Sequence, residues 1–386
     1  MRKYRSSCLS LILAVLLIMS NAASTFAAQP LFDLQAKSAI LMDYETGTFL
    51  YEKNPHEKLP VASLTKIMTI LLVLEAIDDG KLSLDDKVQI SEYASSMGGS
   101  QVFLHEGEVI SVDSLLKAVV VASGNDASVA LGEKIAGTNE VFVSRMNERA
   151  RELGMTNTRF ANATGLPADN HYSTAMDVSL MSRELLKHPL FYCWSTIWVE
   201  TLEESRNKTE LANTNRLVRF YDGADGIKTG STQEAGYCLS ATAKRGNMRL
   251  LSIVLNAPTT KIRFSESTKM MDYGFANFEL VSLLKKDQPV ENQVTVYGGK
   301  EEIINGVVSQ DVNFLIKTGD SKEYERETIL DEKIKAPLKK GDKIGTLYLK
   351  QNDKLVQSLD IVSDRDVLKA NVFDYFKKIF NNWVRK

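Results

Sequence analysis

Cysteine is scarce in this sequence, with 3 in 386 residues, and that excludes a small scaffold held by disulfides. Cys8 lies ahead of an apolar run, badly placed for a lipoprotein cleavage site. Cys193 and Cys238 remain, and one disulfide or two buried thiols fit them equally well. Histidine is nearly as rare. His56, His105, His171 and His188 include no His-Glu-x-x-His pair, so the ligand pattern of a zinc-helix hydrolase is missing, and no phosphate-binding glycine loop occurs. Neither a metal site nor a cofactor is expected. Net charge is lacking too: 47 basic and 49 acidic residues leave -2, without the field that gathers a polyanion, so nucleic acid is not an expected partner. No internal repeat and no low-complexity linker break the chain.

What is present is the composition of a folded protein with a sizeable core, 44% hydrophobic and 25% charged. The length exceeds the roughly 100 to 200 residues of an ordinary domain, so two domains are expected. Met1-Arg2-Lys3-Tyr4-Arg5, an apolar run from Leu9 to Met19 and small residues from Ala22 to Ala28 read as an export signal over residues 1–28, cut near Ala27. The alternative, a retained anchor, would need an apolar run of roughly 20 residues.

The short β-prone runs Ser38–Asp43 and Thr48–Tyr51, separated by Tyr44-Glu45-Thr46-Gly47, predict a hairpin. Apolar residues three or four apart predict helices from Ser63 to about Asp79, Val112 to Val121, Ala127 to Ile135, Glu140 to Leu153 and Ala175 to Leu186. Strands follow near Gly226–Lys228, Ala235–Ala243 and Arg249–Asn256, then a helix from about Phe264 to Phe278. Residues 29–286 thus form one mixed α/β domain. Short alternating runs such as Val294–Tyr297 and Lys343–Tyr348 predict a small all-β domain over 287–364. In 365–386, Leu368, Val372, Phe373, Phe376, Phe380 and Trp383 share a helical face beside Lys369, Lys377, Lys378, Arg385 and Lys386. That predicts an amphipathic helix on a membrane surface, against the alternative of a helix docked on its own domain.

Ser63-Leu64-Thr65-Lys66 places a serine and a lysine on one helix face. A lysine amine held neutral by burial or by neighbouring cations can take a serine proton, which turns a weak nucleophile into a strong one. The spacing recurs at Ser114–Lys117, Ser205–Lys208 and Ser282–Lys285, and a serine at a helix start is ordinarily a cap. Position separates Ser63: it opens a long apolar helix, where a lysine one turn on is costly unless used. Ser123-Gly124-Asn125 closes an apolar stretch before the next helix and aims two polar side chains at a cleft, although these are also turn residues. Lys228-Thr229-Gly230 puts a cation, a hydroxyl and a small residue on a strand suited to an anionic substrate. A second copy, Lys317-Thr318-Gly319, reads as a turn.

The order of the three motifs within one mixed domain is far more specific than any one of them. The chain resembles the penicillin-binding proteins and serine β-lactamases, and within them the low-molecular-weight D-alanyl-D-alanine carboxypeptidases, especially the sporulation-associated type. Pro60–Lys66, Ala122–Asp126, Asn162–Pro167 and His171–Ala175 carry the likeness over nearly the whole chain. The resemblance implies a β-lactamase/transpeptidase-like fold, with a mixed antiparallel sheet flanked by helices, and an exported enzyme held at the outer face of the cytoplasmic membrane. It makes Ser63 the acylated nucleophile, Lys66 its base and Ser123 a proton relay. Asn125 would hold the peptide backbone, while Lys228 and Thr229 would take the substrate carboxylate and Gly230 belongs to the same strand motif. The N–H groups of Ser63 and Ser231 would form the oxyanion hole. Arg263 is either a carboxylate clamp or a solvated surface charge, and His171 reads as structural.

The substrate implied is a peptidoglycan stem ending in D-Ala-D-Ala, with β-lactams as covalent inhibitors. Class A β-lactamases release the acyl group with a glutamate on the loop between the second and third motifs. No glutamate occurs between Met155 and Asp177, so slow release of bound penicillin is expected, and a penicillin-sensitive carboxypeptidase is favoured over a resistance enzyme or a non-catalytic wall-binding protein.

Overall fold

The computed structural model describes residues 32–376 apart from 352. The expected export signal and the last ten residues, including Phe380 and Trp383, lie outside the described residues. A hairpin of β1 (Ser38–Asp43) and β2 (Phe49–Lys53) forms as predicted and joins β3 (Ala224–Thr232), β4 (Gly236–Arg245) and β5 (Met248–Ala257) in a five-stranded antiparallel sheet of order β2-β1-β5-β4-β3. Strand β5 is buried at nearly every position, so both faces of the sheet are covered.

Two serine pairs show which helices cover them. Ser240 is opposite Ile253 and Ala241 is opposite Ser252, so Ser240 and Ser252 point to opposite faces. Ser182, on the helix Ala175–Leu185, bonds Ser240 at 2.9 Å, and Ser267, on the helix Thr260–Asn277, donates to Ser252 at 3.0 Å. The two helices therefore flank the sheet. Beyond the first of them a helical cluster contains α1 (Lys66–Asp78), α2 (Val112–Val121), α3 (Asn125–Ala136) and α4 (Asn139–Glu152), with Ala175–Leu185 as α5 and Thr260–Asn277 as α6. In α1 the residues from Lys66 to Leu71 are all buried, together with Val73 and Leu74, so this helix runs through the core rather than along its surface. Helix α6 begins four residues before the predicted start, where Thr259 caps it through the Ile262 N–H.

The β-rich region departs from its expected start. Phe278–Leu284 is a strand, β6, and not a helix end. It pairs with β9 (Val312–Lys317) and so lies with the strands that follow residue 287. Between them come β7 (Pro289–Thr295) and β8 (Ile303–Val308). With β10 (Glu325–Leu330), β11 (Lys343–Gln351) and β12 (Lys354–Ser363) these form a second sheet of order β7-β8-β12-β11-β10. Val294, Ile304, Leu347, Leu359 and Ile361 are among its core. Lys317-Thr318-Gly319 closes β9 in a turn with Gly319 at φ +94, as read.

The C-terminal helix is shorter than expected among the described residues. Val367 and Lys369 form bridges to Leu338 and Gly299, and helix is present only over 372–376, capped where Asn371 and Asp374 exchange hydrogen bonds. Cys193 and Cys238 are both free thiols, the first exposed and the second buried. Neither the disulfide nor the pair of buried thiols is realised.

The loop from Met155 to Thr174 is fastened beneath the turn that carries Ser63. Gly165 sits at φ +82, and a Cβ there would fall 1.9 Å from the Ala62 carbonyl oxygen, so only glycine allows this approach. His171 accepts from the Ala161 N–H through Nδ1 (3.1 Å), which leaves Nε2 protonated and donating to Thr65 Oγ1 at 2.8 Å. It is structural, as read. Burial holds its pKa at about 4, below the ordinary 6.5. Folding is therefore unaffected by this ring above pH 6.5 and loses stability as pH falls towards 4, where the unfolded chain takes up a proton that the native state refuses. Urea titrations should show stability falling more steeply in wild type than in His171→Gln across that window, by up to about 3 kcal/mol. Parallel curves would remove the ring from the account.

Candidate active site

Ser63 lies in a 3-10 turn, Ala62–Thr65, that runs straight into α1. The turn starts from a left-handed residue, Ala62 at φ 47, a conformation that costs a non-glycine residue on the order of 1–3 kcal/mol and persists only where the surroundings impose it. Lys66 follows one turn later and is 0% exposed. Its Nζ lies 3.0 Å from Ser63 Oγ, 2.5 Å from Asn125 Oδ1 and 2.7 Å from the Thr164 carbonyl oxygen.

Those three partners define the protonation state that suits catalysis. Asn125 Oδ1 and the Thr164 carbonyl can only accept, so they use two amine hydrogens. In a neutral amine the remaining position is a lone pair, and it faces Ser63, whose O–H can donate to it. Electrostatics agree with this count. Lys66 is held well below the ordinary lysine range, first by burial and next by the Lys228 charge, while Asp126 opposes the shift.

The other two motifs converge on the same turn. Ser123 sits between α2 and α3 in a left-handed conformation, φ 64, with its hydroxyl buried and without a hydrogen-bond partner among the described residues. No hydrogen bond joins it to Lys66. Asn125 is the first residue of α3, so the loop expected through residue 126 ends earlier. Its Nδ2 donates to the Gly98 carbonyl at 2.6 Å.

Lys228, Thr229 and Gly230 lie on β3, the edge strand. Lys228 and Gly230 share one face, as alternate residues must. A Cβ at Gly230 would come within 2.9 Å of both the Ser63 nitrogen and the Val61 carbonyl oxygen, so this glycine lets the strand lie against the nucleophile's backbone. Lys228 is 1% exposed, and burial, then Arg263, bring its pKa down to about 7. Thr229 donates to Thr214 Oγ1 at 2.7 Å, and Ser231 is exposed at the strand's end.

Arg263 is not a solvated surface charge. It lies buried behind the strand, donating through Nη1 to the carbonyls of Gly230 (3.2 Å) and Cys238 (3.3 Å), with its guanidinium over the Tyr237 and Phe264 rings. The remaining Ser-x-x-Lys spacings are elsewhere engaged: Lys117 pairs with Glu200, Ser205 closes a turn on Leu202, and Ser282 lies in β6. Sequence reading gave no role to the Thr164 carbonyl, to Thr214 or to Gly98. The Thr164 contact is made by a main-chain carbonyl that no side chain signals, and Thr214 offers a lone hydroxyl outside any motif, whereas the adjacent Gly98 and Gly99 mark a close approach in the sequence itself. Among the described residues no cluster of His, Cys, Asp and Glu is suited to a metal ion.

The chain is similar to known proteins over nearly its whole length. Residues 23–259 match the family model for D-alanyl-D-alanine carboxypeptidase, and residues 278–369 match that for the penicillin-binding protein 5 C-terminal domain. The chain is 43% identical to the D-alanyl-D-alanine carboxypeptidase DacF of Bacillus subtilis, with 98% of each chain covered. Penicillin-binding protein 5 of Haemophilus influenzae superposes with a TM-score of 0.75 at 34% identity, over 88% of this chain and 99% of that one. The ampicillin-bound penicillin-binding protein D2 of Listeria monocytogenes gives a TM-score of 0.55 at 38% identity, over 64% of this chain and 100% of that one. With a penicillin-binding protein fold, a family-model match over most of its length and a matching C-terminal β region, the chain belongs to the D-alanyl-D-alanine carboxypeptidases, a family of serine hydrolases.

Proposed function

We propose that the chain removes the terminal D-alanine from peptidoglycan stems through an acyl-enzyme on Ser63, with Lys66 as the base. The observation that carries this is the dry Lys66 amine, whose two hydrogens are taken by Asn125 and Thr164 while its lone pair faces Ser63. Lys66 takes the Ser63 proton as Oγ bonds to the carbonyl carbon of the penultimate D-alanine. The tetrahedral intermediate then expels D-alanine as the C–N bond breaks, and the proton goes to the departing nitrogen. Ser123, with an uncommitted buried hydroxyl, suits the relay. Water then hydrolyses the ester and regenerates Ser63.

Lys228 and Thr229 hold the substrate's terminal carboxylate, and Arg263 contributes positive charge from behind the strand. The Ser63 and Ser231 N–H groups flank the position of the oxyanion, a type of contact worth on the order of 3 kcal/mol per donor. The second hydrogen of Asn125 Nδ2 is available for the stem backbone. A β-lactam carries the same carboxylate and acyl carbon, so it acylates Ser63 and leaves slowly.

Incubation with labelled penicillin should modify Ser63 in the wild type. Ser63→Ala should give no adduct, and Lys66→Ala should slow labelling by roughly 100-fold or more. An adduct on another residue, or unimpaired labelling of Lys66→Ala, would sink the mechanism. Released D-alanine from a pentapeptide stem then distinguishes the carboxypeptidase from a protein that merely binds.

Lys228 must be charged to receive a carboxylate, so kcat/KM for the stem peptide should fall on the alkaline side with a midpoint near its pKa of about 7. Lys228→Arg, which stays protonated, should abolish that limb. An unchanged alkaline limb in the variant would assign it to another group.

We place the enzyme at the outer face of the cytoplasmic membrane, attached peripherally by the C-terminal segment 365–386 that follows the catalytic and β-rich domains. No helix among the described residues is long and apolar enough to cross a membrane. Val372, Phe373 and Phe376, in the helix over 372–376, are exposed, with Phe373 at 86%, and Leu368 just ahead of it is exposed too, apolar side chains suited to a membrane interface. A chain ending at Asp364 should stay in the supernatant when the full chain pellets with anionic lipid vesicles. Equal pelleting of both would move the attachment elsewhere.

A further inference from the structure

Asp126 follows the Ser123-Gly124-Asn125 motif and is 1% exposed, yet its carboxylate makes no ion pair. All of its hydrogen bonds come from backbone N–H groups. Val102 donates at 3.2 and 3.0 Å to the two oxygens, Leu104 donates at 3.1 Å, and Ala127, in the same helix, donates at 2.9 Å. Such bonds to a charged acceptor are about twice as strong as neutral ones, so this side chain fastens the 98–104 loop to the start of α3.

The loop it holds touches Asn125 from both ends. The Ser100 carbonyl accepts from the Asn125 backbone N–H at 2.8 Å, and the Gly98 carbonyl accepts from Asn125 Nδ2 at 2.6 Å. Gly99, at φ +75, lies so close that a Cβ would fall 2.9 Å from Nδ2 and 3.2 Å from Leu166 Cδ2. A carbonyl can only accept, so Gly98 decides which end of the amide faces it. With Nδ2 on Gly98, Oδ1 must face Lys66 and takes one of its hydrogens.

The opposite amide orientation would have a chemical consequence. Nδ2 would then donate to the neutral Lys66 amine and occupy the lone pair that Ser63 requires. We propose that Asp126 is a positioning residue for acylation: by pinning the 98–104 loop it fixes the Asn125 amide, and so keeps the Lys66 lone pair turned towards Ser63. This rests on Lys66 being the base.

Two charged groups face Lys66, Lys228 from β3 and Asp126 from α3, while Ser63, Asn125 and Thr164 are its uncharged neighbours. Loss of the Asp126 charge removes the influence that raises the Lys66 pKa, so the acid limb of the acylation rate should move to lower pH. A merely structural role would leave that limb in place.

The test is a mutant cycle on the full chain, read as the second-order rate of labelling by a fluorescent penicillin. Asp126→Asn should slow labelling between about tenfold and 100-fold, as expected for a misplaced catalytic group, and lower the acid limb. Gly99→Ala, which disturbs the loop's seat on Asn125 without touching the carboxylate, should slow labelling similarly with the acid limb unmoved. In an Asn125→Ala background both substitutions should lose their effect on the pH-independent labelling rate, while the charge-driven shift of the acid limb by Asp126→Asn persists. Full additivity with Asn125→Ala overturns the proposal, as does wild-type labelling by both single variants. Should Asp126→Asn fail to fold, the Gly99→Ala and Asn125→Ala pair decides alone by the same criterion. Wild-type labelling by Lys66→Ala would instead mark failure of the underlying base assignment.

Discussion

The site depends on a lysine amine kept out of water with both of its hydrogens already used. An exposed lysine is charged at neutral pH and has no lone pair to offer. Burial removes the charge, since an unpaired ammonium in a dry interior costs several kcal/mol, but burial alone would leave the amine free to turn. The Asn125 oxygen and the Thr164 carbonyl fix its direction. Each element around Ser63 can be understood as supplying one of these conditions: α1 supplies the burial, α3 and the 155–174 loop supply the acceptors, and β3 supplies a neighbouring cation.

The cation itself is a delicate part of the arrangement. Lys228 is also buried, and burial together with the Arg263 charge behind it brings its pKa down to about 7, so two cations sit close together beside the neutral Lys66 amine. Arg263 is lowered as well, to about 10, mainly by burial. Among the described residues no carboxylate is hydrogen-bonded to the Lys228 amine, which donates to the Thr229 carbonyl at 3.3 Å. Such a cluster is poised for an anion from outside. On the proposed mechanism, a carboxylate arriving beside Lys228 favours its charged form and is itself stabilised by it.

The sequence revealed the catalytic half in unusual detail because its signals were local. Helix periodicity placed α2 over Val112–Val121 without error, and the order of three short motifs selected Ser63 from four equivalent spacings. Legibility failed where partners are distant or are main-chain atoms. Strand β6 looks like a helix end until β9 arrives to pair with it some thirty residues later. The 367–370 segment reads as helix from its apolar spacing, but bridges to Gly299 and Leu338 hold it extended. Arg263 was ambiguous for the same reason, as its acceptors are carbonyls of Gly230 and Cys238, which no side-chain pattern encodes. Asp126 stood inside a quoted motif with no role attached, because its partners are backbone amides on a loop twenty-two or more residues earlier.

On the proposed mechanism, the same geometry leads to turnover of a peptide and to retention of a β-lactam. Once Ser63 is acylated it has no proton to give, and the Lys66 lone pair faces the ester instead. Asn125 and Thr164 still hold the other two positions, so the amine remains directed at the same point and can serve an incoming water there. With a stem peptide the departing D-alanine leaves that approach open. A β-lactam's leaving nitrogen stays tethered to the acyl group, so it remains in the space that water must enter. Asp126, the carboxylate beside the Asn125 motif, cannot take over as base, because its oxygens are committed to backbone N–H groups. A single directed amine therefore suffices for hydrolysis when the first product can diffuse away and is obstructed when it cannot.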